Sequence, residues 1–205
     1  MKPLYFLFLG ILILMIGCED FESMLPDAKN YTVVGSHKLE LMEKDRSGKI
    51  WFVTAAEANN YETYAQTSIL AAYEISRGNR DIDLVLVILV PGEEFVASSI
   101  SYAQTSYARD KKGAKGLSGV DLSAVTFSKW FVRAAEHPLS EKEFAIASLW
   151  VSHQKDFPSQ DMLSSLSYDR DALRMFIADS LQLDIEEVIF PGIPLRDYDK
   201  LEFIE

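Results

Sequence analysis

The 205-residue sequence has one cysteine, at position 18, and three histidines. A lone thiol excludes an internal disulfide, so the fold must rest on its packed core. His37, His137 and His153 stand far apart, and none falls in the H-x-x-x-H or H-E-x-x-H spacing that sets two ligands on one helical face; no metal site and no cofactor are expected. Positive charge is scarce. Twenty Lys and Arg against 31 Asp and Glu give a formal net charge of −11, a surface that repels phosphate backbones and excludes nucleic acid as a partner. A G-x-S-x-G nucleophile elbow is absent as well.

The long apolar run is confined to the amino end. Met1-Lys2-Pro3 precedes an uncharged stretch, Leu4 to Ile16, broken only by Gly10, which has the form of a secretory signal. Leu4 to Cys18 is about 22 Å long as a helix, against a hydrocarbon core of about 30 Å, so it is short for a membrane span. Lys2 before the run and Glu19-Asp20 after it give the orientation that export requires. Met15-Ile16-Gly17-Cys18 resembles the lipobox of bacterial lipoproteins. The resemblance implies removal of residues 1–17 as a signal peptide and acylation of Cys18, with chains of the palmitate type, as the first residue of the mature protein. An uncleaved signal anchor and plain secretion are the competing readings. Several chains are needed, because a single acyl chain holds a protein only marginally, each buried methylene contributing about 0.8 kcal/mol. The implied location is the cell envelope, on the extracytoplasmic side; Glu19 after the cysteine favours the periplasmic face of the outer membrane in a Gram-negative source, by analogy with enteric sorting. Loss of Lys2 with the leader takes the formal charge to about −12. Lipid therefore has to supply the membrane affinity that charge does not.

Residues 18–30 are short, polar and contain Pro26, as expected of a lipidated tether, and 31–205 are expected to form one globular domain. Tyr31 to Glu43 and Ile50 to Val53 read as strands of a hairpin around Asp45-Arg46-Ser47-Gly48. Thr54 and Glu57 have capping-box spacing and predict a helix start, with Tyr61, Tyr64, Ala65, Ser68, Ala71, Ala72 and Ile75 on its buried face and Gly78 as its stop. The continuous apolar run Leu84 to Val90 predicts a central strand covered on both faces. Ser98 to Arg109 and Phe127 to Ala134 read as neighbouring strands across a long loop. Ser140 with Glu143 is a second capping box, Leu139 and Phe144 a staple around it, and another helix follows Asp169 with Leu173, Phe176, Ile177 and Leu181 in register. Asp184 to Glu187 caps a further turn, and Leu201 to Glu205 reads as an edge strand. The sum is an α+β domain: a mixed, mainly antiparallel sheet, one helix between early strands and two to three helices near the C-terminus. Taken whole, this order resembles uncharacterised bacterial domains of unknown function.

Candidate chemistry is sparse. Lys111, Lys112 and Lys115, interleaved with Gly113, Gly116 and Gly119, have the composition of an anion-binding loop, although P-loop spacing is missing; the competing reading is a hairpin tip. Asp81 with Asp83, and Asp169 with Asp171, read as turn and cap residues rather than calcium ligands. Glu57 and Glu62, on the first helix, suggest carboxylates that act with a distant acid as a glycosidase pair, against a cap role for Glu57; Tyr102, Gln104 and Tyr107 suggest a shallow sugar- or peptide-binding face, against ordinary sheet packing. The reading that follows is an envelope lipoprotein, tethered to the membrane, that binds a protein or small-molecule partner. An envelope hydrolase whose site assembles only in the fold is the alternative.

Overall fold

The computed structural model describes residues 21–41, 46–96, 98–110, 129–159 and 168–201. Six strands lie in sequence order: β1 (Thr32–Leu39), β2 (Gly48–Thr54), β3 (Leu84–Leu89), β4 (Ala103–Ala108), β5 (Trp130–Ala135) and β6 (Leu195–Asp197). Every neighbouring pair is antiparallel except β2 and β3. That pair is parallel because α1 (Tyr61–Gly78) carries the chain back across the sheet before β3 begins. With α2 (Glu141–His153) and α3 (Arg170–Leu181) following late, the chain is a single α+β domain of the expected kind. None of its described helices is long and apolar enough to cross a membrane.

The hairpin of β1 and β2 forms as read, and its pairing slips between Val33 and Gly35 on the outer strand. The start of α1 differs from expectation. Thr54 is consumed as the last residue of β2, paired with Thr32, and Ala55 to Asn59 turn the chain. The cap falls instead on Asn60, whose side chain accepts from the Thr63 N–H (3.1 Å) while the Thr63 hydroxyl accepts from the Asn60 N–H (3.1 Å). This reciprocal pair satisfies two of the helix's orphan donors.

From that start, α1 buries Tyr64, Ala65, Ser68, Ile69, Ala71, Ala72 and Ile75 against Trp51 and Val53 of β2, Val85, Val87 and Leu89 of β3 and Val132 of β5. Its alanines admit close approach, and the buried Ser68 hydroxyl meets that of Thr105 on β4 at 2.6 Å, so the polar pair satisfies itself. Two buried polar side-chain atoms among the described residues lack a hydrogen bond, the Tyr64 hydroxyl and Arg133 Nε. The Tyr64 hydroxyl has no hydrogen-bond partner among the described residues, although its ring stacks on Tyr102 with centroids 4.6 Å apart. Burial, with Tyr102 beside it, pushes this phenol above its ordinary pKa and keeps it protonated. An unpaired buried donor costs about 1–3 kcal/mol, so Tyr64→Phe is expected to raise the unfolding temperature by roughly 2–12 °C; a fall would mean that the hydroxyl is bonded in solution.

The other face of the sheet is closed at one end. After β3, Val90, Phe95 and Ile100 fold over Phe52 and receive Ala147 of α2. There α2 and α3 pack on each other through Ile146, Trp150, Leu173, Ile177 and Val188. Both predicted caps hold: Ser140 reciprocates with Glu143, and Asp169 accepts from the Asp171 and Ala172 N–H groups at 3.1 Å. Asp184 and Glu187 cap the short turn Ile185–Glu187.

Three further boundaries shift. Strand β4 is shorter than Ser98 to Arg109, because Glu93–Phe95 form a 3-10 turn and the chain reaches the sheet only at Ala103. Strand β5 starts at Trp130. The edge strand is Leu195–Asp197 rather than a segment from Leu201, since buried Tyr198 gives its N–H to the Val132 carbonyl (2.9 Å) and completes the pairing; residues 202–205 lie outside the described part. Finally, the segment read as a tether is part of the folded body from Phe21 on. Phe21–Met24 form a 3-10 turn, Leu25 is buried, and the Asp27 and Lys29 N–H groups donate to Gln66 (2.8 Å) and Thr67 (2.9 Å) of α1.

At the opposite corner Asp83 ties strands together. It accepts from the Ser47 N–H (2.9 Å) and from Arg46 (2.7 Å), which also reaches Asp110. The Ser47 N–H foremost, and Arg46 next, outweigh partial burial and hold the Asp83 carboxyl below its usual range; the Ser140 donors do the same for Glu143. A carboxyl with a folded pKa below its unfolded one stabilises the fold above the unfolded value and loses that contribution as pH falls through the folded one. Unfolding temperature is therefore expected to be flat above about pH 5.5 and to fall below about pH 4.5, with Asp83→Asn showing a shallower acid slope in thermal melts.

Candidate functional site

The sequence around Pro138 and the last strand builds the densest set of charged groups in the described structure. Strand β5 ends at Ala135, and Glu136-His137-Pro138 turns the chain toward α2; a residue before proline is held away from helical geometry, which keeps His137 on the rim. Strand β6 returns antiparallel, with Arg133 opposite Asp197 and Ala134 opposite Arg196. In the run Arg196-Asp197-Tyr198-Asp199-Lys200 only Tyr198 is buried, and the two charged residues on either side of it are exposed. The first turn of α1 brings Tyr61 alongside.

Between them lies an open cleft of about 530 Å³ lined by Tyr61, Glu136, His137, Arg196, Asp197 and Asp199. A smaller hollow of about 230 Å³ continues it past Pro138, Leu139, Glu143 and Ile193, sharing Glu136 and His137. Arg196 pairs with Glu136, and Arg133 lies 3.2 Å from Asp197. Tyr61 donates to the Asp197 carbonyl at 2.6 Å; burial first, then the charges of Asp199 and Glu62, push its phenol above the ordinary value and keep it a donor. His137 and Asp199 are exposed and form no hydrogen bond with described residues, which leaves both able to meet a ligand.

Beneath the cleft, Glu62 is a strut. Partial burial pushes its carboxyl up, but Lys200 (2.8 Å), Tyr198 and Gln66 (2.8 Å) donate to it and hold it, on balance, below its usual range. It joins α1 to the segment after β6, while Glu57 lies exposed on the turn before the helix rather than on the helix itself.

Other sequence candidates are dispersed. His37 stacks edge-on to Phe52 at 5.5 Å, and His153 bonds Asp156 at 2.8 Å, so only His137 reaches the cleft. Among the described residues no three His, Cys, Asp or Glu side chains gather around a common point. Tyr102 and Tyr107 pack in the core, on Tyr64 and on Trp130 respectively, while Gln104 reaches Ser101. Ser152 and Lys155 have S-x-x-K spacing but both side chains are exposed at the end of α2. Cys18 and the lysines 111, 112 and 115 lie outside the described residues. Sequence reasoning missed Glu136, Arg196, Asp197 and Asp199; the signal available was a lone tyrosine among four charged residues at 196–200, beside a strand only three residues long.

Residues 26–193 match the family described as Domain of unknown function (DUF4875). The match stops just short of β6, so Arg196, Asp197 and Asp199 lie beyond it. No curated protein matches the chain. A crystal structure of a DUF487 family protein from Desulfovibrio piger ATCC 29098 is similar in fold, with a TM-score of 0.63 over 84% of this chain and 97% of that one, at 20% identity.

Proposed function

The chain belongs to the DUF4875 family, and from that premise we propose that it is a lipid-anchored protein of the cell envelope whose cleft between β5, β6 and α1 binds a cationic segment of a partner protein. The observation that carries the reading is the state of the cleft's charges. Arg196 and Arg133 are neutralised by Glu136 and Asp197, which leaves Asp199 at the mouth and Glu143 beside it as carboxylates with no ion-pair partner among the described residues, next to His137. The resulting negative potential favours a lysine- or arginine-bearing guest.

Glu62 beneath the cleft and Glu143 beside it are held below the usual carboxylate range by the donors fixed on them, so they serve as acceptors in the fold. Affinity capture from envelope extract with the acylated protein, run beside Asp199→Lys and His137→Lys, tests the assignment. One stoichiometric partner is expected with the native cleft and at least about tenfold less with either variant, since a positive charge placed against a cationic guest costs a few kcal/mol. Equal recovery from all three would remove the cleft from the interaction.

A further inference from the structure

The folded body begins very close to the proposed anchor. Phe21 lies three residues after Cys18, a reach of at most about 11 Å. A domain of this length has a radius of gyration of about 16 Å, so the tether is shorter than the body it holds. A body held by so short a link keeps the attachment point turned toward the plane it is tied to. Phe21 is not a loose end: its ring stacks on Tyr73 at 3.8 Å and lies 6.1 Å from Trp130, and Leu25 behind it is buried.

The surface around that point has a distinct chemistry. Rings continue from Phe21 through Trp130 to Tyr107, 4.6 Å further on, and Arg77 lies 5.4 Å over the Tyr73 ring. Lys129, next to Trp130, is exposed. Half-buried Phe21, Tyr73 and Tyr107 beside two exposed cations form the combination that settles at lipid headgroups, where amphipathic rings and basic side chains are both favoured. Each cation near an anionic leaflet contributes about 1 kcal/mol, on a body whose remaining charge is strongly negative. The topology places this patch at the start of β5, whereas Glu136 and His137 follow its end and the α2–α3 pair covers the exit of β3. Five strand steps, about 17 Å, separate the two ends.

We propose that the face made by Phe21, Tyr73, Tyr107, Arg77 and Lys129 lies against the headgroups of the bilayer that carries the anchor, fixing the domain with its cleft and helical pair pointing away from the membrane. The inference rests on the lipidation of Cys18. In the acylated protein an introduced cysteine is the only free thiol, so Glu22→Cys and Glu186→Cys can each carry one fluorophore, the first beside the patch and the second on the turn after α3. Both are exposed positions. The acylated proteins are reconstituted into vesicles of phosphatidylethanolamine and phosphatidylglycerol bearing a headgroup quencher, and flotation is scored on the same samples. Quenching at 22 is expected to exceed that at 186 severalfold, and Arg77→Glu with Lys129→Glu is expected to shrink the difference while flotation persists. Flotation with equal quenching at both sites would overturn the fixed orientation and leave the anchor standing. Failure to float, with unmodified Cys18 in the mass spectrum, would overturn both.

Discussion

Ile69→Ala will lower the unfolding temperature by about 5–20 °C, the largest effect expected of any single truncation on α1. Ile69 is wholly buried at the middle of that helix, which packs on β3, β4 and β5, so the lost side chain leaves a hole against the sheet. Rigid sheet neighbours such as Val85 and Val87 do not collapse into it, and incomplete relaxation is what moves such a truncation toward the upper part of the usual 2–5 kcal/mol range. Met175→Ala is the matched control. That side chain is 62% exposed on α3, and its removal is expected to leave the melt unchanged within about 0.5 kcal/mol. A small loss at Ile69 would mean that α1 is not the element that closes this face of the sheet.

On the proposed anchor, Cys18→Ser made without residues 1–17 will move the protein from the membrane fraction to the soluble fraction nearly completely. The size of the effect follows from chain chemistry: at about 0.8 kcal/mol per buried methylene, two or three acyl chains outweigh anything the surface patch contributes. Arg77 and Lys129 together supply about 2 kcal/mol on an anionic leaflet, enough to orient a bound domain and too little to retain a free one. Fractionation measures the shift, and mass spectrometry of the native protein's mature N-terminal peptide measures the acylation behind it. Persistence of the serine variant in washed vesicles would assign the retention to another part of the chain.

Elements whose local signals agreed with their tertiary setting were legible in the sequence. Strand β3 announced itself by an unbroken apolar run because both of its faces are covered, and α2 and α3 by caps at Ser140 and Asp169 that the structure uses as read. The start of α1 was misplaced because two cap-competent sites, Thr54 and Asn60, compete within six residues, and pairing across to Thr32 decides between them. No local pattern carries that long-range contact. The cleft was illegible for the same reason: Arg196 meets Glu136 across 60 residues and Tyr61 meets Asp197 across 136. Docking of residues 21–29 along α1 also escaped notice, since a polar stretch with a proline looks unstructured until Gln66 and Thr67 are known to accept its N–H groups.

The slip in pairing at Gly35 has a consequence for how identical copies meet. An eight-residue strand at the border of the described sheet is the natural place for one copy to zip onto the next. The offset interrupts any such ladder after its first rungs, and a methyl group at position 35 would press within 3.3 Å of Val96, so the kink is built into the packing behind it. Polymerisation through this border is discouraged accordingly.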